Sequence, residues 1–281
     1  MSEKLTFELG NIQRTLLLPL WGRAVETRKK EPLLVDKTAV EIVEKIDFDF
    51  SEMSKDLSAE SLYGWVRRSI LIDIVVKQFL EKHPKATIVN IGCGLDTTFE
   101  RIDNGTIRWY DLDLPDTIEL RRKFIQETER RKYITSSFLD YSWLNGLIIE
   151  DNILFIAAGV FYYFEEFQIK DFLHKIADIS PNSEIVFDAA SPFGVKMANR
   201  MVIRMSGMDK KSFLKWGVKS SGTIQSWDDR IVVLSAVPLF KNARKGHDLK
   251  TKIGLLISDI FKMQYLIHLK IKDRISTVVT N

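Results

Sequence analysis

The stretch Thr87-Ile88-Val89-Asn90-Ile91-Gly92-Cys93-Gly94-Leu95-Asp96 decides the fold of this chain. Its first five residues predict a buried β-strand, and Gly92 and Gly94 predict a tight turn where that strand ends. Glycine lets the backbone approach a ligand because it has no Cβ atom, and open α/β sheets bind ligands at the carboxyl ends of their strands. The turn is therefore a candidate ligand site, although an ordinary strand-to-helix turn would have the same pattern.

Short apolar runs alternate with helical stretches after this motif. A helix with its apolar residues on one face is predicted over 165–176, between two of the runs. This alternation predicts an α/β, Rossmann-like fold, in which a mostly parallel sheet of seven strands carries helices on both faces. The candidate strands are residues 87–91, 107–112, 133–136, 153–158, 184–189 and 231–239, with a terminal apolar pair at 265–269 and 275–279.

The 281 residues are expected to form a single domain. Helices predicted near 40–46 and 62–80 would build a layer ahead of the glycine motif. Methionines recur at helical spacing after the fifth strand, a pattern more typical of packing than of ligand contact. The expected parts are an N-terminal helical cap (1–84), the core (85–190), a lid insertion after the fifth strand (191–230) and a C-terminal completion of the sheet (231–281).

The composition argues against several classes of protein. Lys and Arg number 41 and Asp and Glu 38, and this net charge of +3 is too small to predict a nucleic-acid partner. The basic stretches 210–219 and 241–252 are interpreted as solvated faces or lid surface. Cys93 is the single cysteine, so no intramolecular disulfide and no metal site are expected. Without a signal-peptide pattern or an apolar run long enough to span a bilayer, a cytoplasmic protein with no membrane partner is expected.

Two acidic residues end the second predicted strand. Asp111 and Asp113 lie about 20 residues after the glycine turn, where a carboxylate can accept hydrogen bonds from the hydroxyls of a ribose. One of them is expected to face the ligand and the other to cap a helix over 115–130. Thr97 stands where a dinucleotide motif has its third glycine, which argues against a bound pyrophosphate.

These segments resemble the leucine carboxyl methyltransferase family, which includes tetracenomycin-type polyketide O-methyltransferases. The resemblance rests on Gly92-Cys93-Gly94-Leu95-Asp96-Thr97-Thr98 followed by Asp111-Leu112-Asp113-Leu114-Pro115, and it extends over roughly residues 21–239. It implies a class I methyltransferase that uses S-adenosyl-L-methionine (SAM) and releases S-adenosyl-L-homocysteine. The turn suits this cofactor, because SAM contains a ribose but no phosphate.

The resemblance also implies which residues bind SAM. Gly92, Gly94 and Asp96 would line its site, and Asp113 matches the ribose-binding acid better than Asp111 does. Arg68, or Arg67 beside it, would hold the SAM carboxylate, a task that suits the planar guanidinium fork. Arg23 is a second candidate for a similar purpose.

Two positions depart from the family pattern. Ser137-Phe138 stands at the adenine edge, where the family has an acid; Phe138 would pack against adenine, and Ser137 or Asp140 would reach its amino group. Ala158 stands before Gly159, where the family tends to have Glu. These departures put the polarity of the active site in doubt.

The acceptor side is less well specified by the sequence. Tyr162 and Tyr163 follow the fourth strand and Trp216 lies beyond the fifth, so all three are candidates to line the substrate, with core packing as the alternative for Trp216. His247 is a weak candidate for a general base, and His174 is expected to be structural. No catalytic residue is assigned, because methyl transfer from a sulfonium depends mainly on alignment and exclusion of water.

The sequence therefore predicts a SAM-dependent O-methyltransferase that acts on a carboxylate or phenol hydroxyl of a small molecule, in polyketide or other secondary metabolism. A SAM-binding protein with lost or altered catalysis is the main alternative, because of Ala158. An NAD-dependent oxidoreductase would share the glycine turn and the ribose acid, but the third glycine of its motif is missing.

Overall fold

The structure is a computed structural model that describes residues 11–50, 59–200 and 213–273. One seven-stranded sheet has the order β3-β2-β1-β4-β5-β7-β6. All neighbouring pairs are parallel except those of β7, which runs antiparallel to both β5 and β6. The predicted mostly parallel sheet of seven strands is confirmed. The strands are β1 (Thr87–Ile91), β2 (Arg108–Asp113), β3 (Arg131–Thr135), β4 (Ile153–Ala157), β5 (Glu184–Ala189), β6 (Ile231–Pro238) and β7 (Tyr265–Ile271).

Helices cover the sheet and precede it. The described α-helices are α1 (Asn11–Thr27), α2 (Lys37–Lys45), α3 (Ala59–Lys82), α4 (Thr98–Ile102), α5 (Pro115–Arg122), α6 (Glu166–Ile179), α7 (Pro192–Ala198), α8 (Ser221–Gln225) and α9 (Leu249–Ile260). Short 3-10 helices span Tyr141–Gly146 and Phe161–Tyr163. None of the described helices is long and apolar enough to cross a membrane.

The central strands are buried on both faces, as their near-continuous hydrophobicity predicts. Every residue of β1 and β4 is buried. Successive side chains point to opposite faces, so Phe155 packs with Phe172 of α6, whereas Leu154 and Ile156 join the cluster that contains Val76 of α3. The two layers hold the carboxyl ends of the strands in place.

Helix α1 was missed by the sequence analysis, which placed its first helix near residue 40. It carries Pro19 in its interior, a residue that ordinarily argues against a continuous helix. Leu17 and Leu20 are nevertheless fully buried, in a cluster with Ile42 of α2 and Leu95 of the glycine loop. Tertiary packing outweighs local propensity here and brings α1 against the loop.

Other boundaries differ from the predictions or cannot be compared. The helix expected over 115–130 ends at Arg122. Neither acid of β2 caps it, because its N-cap residue is Leu114 and no side-chain cap is found. The apolar run 275–279 and three methionines of the predicted stripe (Met201, Met205 and Met208) lie outside the described residues.

The strand order creates a crevice between β1 and β4. The chain proceeds from β1 to β2 and β3 on one side of the sheet, and β4 then pairs with β1 on the other side. Open α/β sheets bind ligands at such a reversal of strand order, outside the carboxyl ends. The glycine turn after β1 lies at this point.

Candidate cofactor-binding site

The glycine loop after β1 requires both of its glycines. Gly92 has φ +60° and Gly94 φ +47°, conformations that other residues adopt only with strain. A Cβ atom on Gly92 would lie 2.5 Å from Cγ2 of Val160, and one on Gly94 would lie 2.9 Å from Cδ2 of Leu16. The loop is therefore packed between the turn after β4 and helix α1, which fixes the path of its backbone.

Asp113 ends β2 beside this loop. Its Oδ2 accepts a hydrogen bond of 2.8 Å from the Gly94 amide, and its Oδ1 accepts one of 2.8 Å from the Leu114 amide. Burial raises the pKa of this carboxyl above its ordinary value. The side chain is only half-buried, and each carboxylate oxygen has a second lone pair. Asp113 can therefore accept further hydrogen bonds from a ligand.

Asp111 has a different environment. It is completely buried, and its Oδ2 accepts from Arg121 at 3.0 Å and from Arg131 at 2.7 Å. Its Oδ1 accepts from the indole of Trp109 and the amide of Asn90. Because these four bonds use both oxygens, Asp111 has a structural role and does not face a ligand.

Asp96 supports the end of the glycine loop. Its Oδ2 accepts from the Thr98 amide at 3.0 Å and from Nδ2 of Asn90 at 3.2 Å. Burial would raise the pKa of this carboxyl, but the positive charges of Arg23 and Arg101 outweigh that effect and lower it to about 2. Asp96 is thus ionised at neutral pH and holds the loop to the start of α4.

Arg68 extends from α3 to the carboxyl ends of β4 and β5. Its Nη1 donates to Oδ2 of Asp188 at 2.9 Å, and a Cβ atom on Gly159 would lie 2.6 Å from the same nitrogen. Within the described residues, Asp188 is the hydrogen-bond partner found for this guanidinium. The Arg68 side chain is 11% exposed to solvent, so its remaining N–H groups can face a ligand. Arg67, the alternative, instead donates to the carbonyl of Leu239.

Asp188 is the functional candidate that the sequence analysis missed. The side chain is fully buried at the end of β5 and accepts from Arg68, from the Gly159 amide at 2.6 Å and from the Tyr162 hydroxyl at 2.9 Å. One sequence signal could have identified Asp188: it is an acidic residue at the end of a buried parallel strand. That strand lies beside the reversal of strand order. Asp188 fixes the position of Arg68 and of the turn after β4.

The hydroxyl of Tyr162 donates to the same carboxylate, that of Asp188. Burial, and the negative charge of Asp188, raise the pKa of its hydroxyl well above the ordinary value. Its carbonyl accepts hydrogen bonds from the amides of Lys215 and Trp216, so it also anchors this part of the predicted lid insertion. Its neighbour Tyr163 is half-buried.

Arg23 lies beneath the glycine loop, where two of its nitrogen atoms are bonded to the fold. It is buried, it donates to Oδ2 of Asp36 at 2.9 Å, and its Nη2 donates to the Leu95 carbonyl at 3.0 Å. These bonds fix the glycine loop, and a role of Arg23 toward the SAM carboxylate stays a prediction.

The predicted adenine edge is only partly open. Ser137 is half-buried, and its hydroxyl accepts from the Leu139 amide at 3.2 Å. Phe138 lies in the aromatic core, with its ring 4.7 Å from Phe164 and 5.2 Å from Phe172. Ala158 is half-buried at the end of β4. The structure thus keeps Ser137 and Ala158 at the strand ends but assigns Phe138 to packing.

Trp216 lies in the hydrophobic core. It is 3% exposed, its ring lies 6.4 Å from Phe187 and 6.3 Å from Trp227, and its indole donates to Glu166. These contacts favour the alternative of core packing.

The two candidate histidines lie in structural contacts. His174 is bound to the Trp227 carbonyl through Nε2, as expected for a structural residue. The ring of His247 lies 4.8 Å from that of Tyr63, whose hydroxyl is itself bonded to the Ala243 carbonyl. No group of three potential metal ligands is found in the described ranges.

The donor set fits a ligand with a ribose and an amino-acid carboxylate. Asp113 offers acceptors at the end of β2, and Arg68 offers donors over the end of β4. Strand β1 lies between β2 and β4, so the two groups lie on opposite sides of the glycine loop. SAM has its ribose and its methionine carboxylate at two such separated positions, and the residues present therefore fit this cofactor.

Comparisons with known proteins agree with this assignment. The family model for leucine carboxyl methyltransferase matches residues 17–177, more than half of the chain. The tetracenomycin polyketide synthesis O-methyltransferase TcmP of Streptomyces glaucescens is 30% identical over 226 residues, which cover 79% of this chain and 80% of that protein. The SAM-dependent methyltransferase dpfgK of Gibberella zeae is 30% identical over 209 residues, 68% of this chain and 70% of that protein.

Solved structures share the fold. A DUF574 family protein from Streptomyces avermitilis has a TM-score of 0.60 at 12% identity. The match covers 91% of this chain and 96% of the Streptomyces avermitilis chain. The plantazolicin methyltransferase BpumL, solved with S-adenosylhomocysteine, has a TM-score of 0.51 at 14% identity, covering 94% of this chain and 100% of its own. The family model and the curated relatives identify the chain as a member of the leucine carboxyl methyltransferase family and a SAM-dependent O-methyltransferase.

Proposed function

We propose that this enzyme methylates a carboxylate oxygen of a small molecule, with a phenol hydroxyl as the second candidate acceptor. A small acceptor is supported by the similarity to TcmP, whose name assigns it to polyketide synthesis. The choice of a carboxylate depends on the chemistry of the side chains around Arg68.

The cofactor is held, in this proposal, by groups at four strand ends. The ribose hydroxyls donate to Asp113, and the methionine carboxylate accepts from Arg68. Gly92 and Gly94 let the loop backbone approach the ligand, while Ser137 and Ala158 border it. When bound, SAM supplies an electrophilic methyl group on its sulfonium.

The observation that favours a carboxylate is that, among the residues the structure describes, the ionisable groups bonded near Arg68 offer no usable base. Asp188 is fully buried, with its oxygens bonded to Arg68, Gly159 and Tyr162. The raised pKa of Tyr162 keeps that hydroxyl protonated. In the part of the chain that the structure describes, these are the ionisable groups bound to one another at the ends of β4 and β5. A carboxylate is already ionised at neutral pH and can attack without losing a proton, whereas a phenol would need a base.

A labelling experiment separates the two acceptors. The enzyme is incubated with methyl-labelled SAM and an aromatic acid that carries both a carboxylate and a phenol, and the product is treated with mild base. A methyl ester releases labelled methanol under these conditions, and a phenyl ether does not. We expect base-labile label; base-stable label would show that the phenol is methylated.

The control for the cofactor site uses two adjacent arginines. Arg68→Met is expected to reduce SAM binding by about tenfold or more, because a charge-assisted hydrogen bond contributes roughly 1.5–3 kcal/mol. Arg67→Met removes the same charge one position away and should leave SAM binding nearly unchanged. Equal losses in the two variants would contradict the role proposed for Arg68.

A further inference from the structure

Helix α9 presents an apolar face to solvent. Leu249 is 74% exposed and Ile260 65% exposed, with three more aliphatic side chains between them on the same side of the helix. Their spacing of three and four residues places them in one stripe along the helix. We call this stripe the outer face of α9; its residues are Leu249, Ile253, Leu256, Ile257 and Ile260.

The helix cannot turn this face inward. Its opposite side is fixed by Leu255, which is buried in a cluster with Tyr63 and Phe240, and by Asp259, which accepts from the Phe240 amide at 3.1 Å and from Arg244 at 2.8 Å. An apolar stripe held outward on a folded helix is typical of an interaction surface.

The outer face continues onto helix α7. Phe193 and Phe261 are 47% and 52% exposed, and their ring centroids lie 5.4 Å apart. The Ser191 hydroxyl donates to the Phe261 carbonyl at 2.7 Å, which ties the start of α7 to the end of α9. The two helices thus form one apolar surface.

Lysines border this surface on both sides. Each residue advances about 100° around a helix, so Lys250 and Lys252 lie on opposite flanks of the stripe. Residues 241–262 contain six basic and two acidic residues, a larger net charge than that of the whole chain. The two acids are used locally, because Asp248 caps the helix by accepting from the Thr251 amide and Asp259 is paired with Arg244.

We propose that the outer face of α9, with Phe193 and Phe261, binds an anionic membrane surface. Apolar side chains would enter the boundary between headgroups and acyl chains, and the flanking lysines would contact lipid phosphates, as interfacial amphipathic helices do. A second copy of this chain fits less well, because it carries the same excess of positive charge over residues 241–262 and does not complement it. The surface binds lipid without inserting a spanning helix.

The proposed lipid-binding surface lies close to the candidate active site. Val195 of α7 packs in one buried cluster with Tyr162, which is bonded to Asp188. The membrane would therefore lie beside the wall of the site at the end of β5. Such a placement suits an acceptor that partitions into lipid, but the lipid contact itself does not depend on the acceptor proposed above.

The test is cosedimentation of the full chain with vesicles. We expect binding to phosphatidylcholine vesicles that contain phosphatidylglycerol, weaker binding to phosphatidylcholine alone, and a decrease with added salt. The variant Ile253→Ser/Ile260→Ser should bind about tenfold less tightly or worse. Lys250→Gln/Lys252→Gln should lose about fivefold for each lysine removed.

A matched control removes exposed apolar side chains elsewhere. Ile149→Ser/Ile179→Ser changes two isoleucines of similar exposure outside this surface, and it should bind vesicles as the unaltered chain does. Circular dichroism and SAM binding establish that every variant is folded. Absence of binding to anionic vesicles would overturn the proposal, as would equal losses in the two isoleucine variants. A dimer that dissociates in Ile253→Ser/Ile260→Ser, without vesicle binding, would assign the surface to a second copy instead.

Discussion

The two acids of β2, Asp111 and Asp113, have the same side-chain chemistry but different roles. They are two residues apart, so both side chains point to the same face of the strand. Asp111 is completely buried, with four hydrogen bonds that include both Arg121 and Arg131. Asp113 is one pleat nearer the strand end, half-buried, and bonded to two backbone amides. Asp111 and Asp113 lie on the same face of β2. The structural acid differs from the candidate binding acid in how far it lies from the end of the strand.

The same difference distinguishes two arginine–aspartate pairs. Arg23 and Asp36 are both buried beneath the glycine loop, and the Arg23 donors also serve Leu95. Arg68 and Asp188 form an equally short pair, but the arginine remains partly exposed at the strand ends. A fully buried pair stabilises the fold, whereas a pair whose arginine reaches the cleft can also bind a ligand.

The largest expected effect is on stability, from Asp111→Asn. Removal of this charge leaves Arg121 and Arg131 without their carboxylate in the interior, and such a loss costs about 3–5 kcal/mol. Denaturant unfolding followed by circular dichroism measures the change. The matched control is Asp103→Asn, which breaks a pair with Arg130 near the surface and should cost about 1 kcal/mol or less. Equal losses would contradict the structural role of Asp111.

The next largest effect is on cofactor binding, from Asp113→Ala. The loss of carboxylate acceptors for the ribose should weaken SAM binding by about 3 kcal/mol, roughly a hundredfold. Isothermal titration calorimetry measures the affinity, and the free energy of unfolding should fall less than in Asp111→Asn. If a folded Asp111→Asn protein loses as much affinity as Asp113→Ala, the ribose would have been assigned to the wrong acid.

The smallest expected effect is that SAM binding and the folded structure are lost at different pH values when the solution is acidified. In the folded protein the pKa of Asp96 is lowered to about 2. The ionised Asp96 therefore stabilises the fold by about 2 kcal/mol at pH values above its unfolded pKa. This stabilisation is lost as the pH falls from about 4 to about 2. The pKa of Asp113 is raised by burial, so this acceptor becomes protonated at a higher pH. SAM affinity should therefore decrease before the circular dichroism signal does. A coincident decrease of both signals would argue against Asp113 as the acceptor.

Local sequence patterns were sufficient for most of the sheet and for the glycine loop. Gly92 and Gly94 were predicted to need glycine, and both have positive φ. Helix α1 was not predicted, because Pro19 interrupts the local signal and its burial depends on α2 and the loop. Trp216 could not be classified from sequence, since an aromatic residue in a lid and one in a core look alike until its neighbours Phe187 and Trp227 are known.

The sequence by itself determined the succession of strands along the chain, the glycine turn and the family resemblance, because these depend on periodicity and on residues close together in the chain. Only the tertiary structure decided which charged groups are used up and which remain available. Arg68 and Asp188 are 120 positions apart, and no local pattern joins them. Their pairing, like the difference between Asp111 and Asp113, arises from how deeply each side chain is packed when the layers close over the sheet.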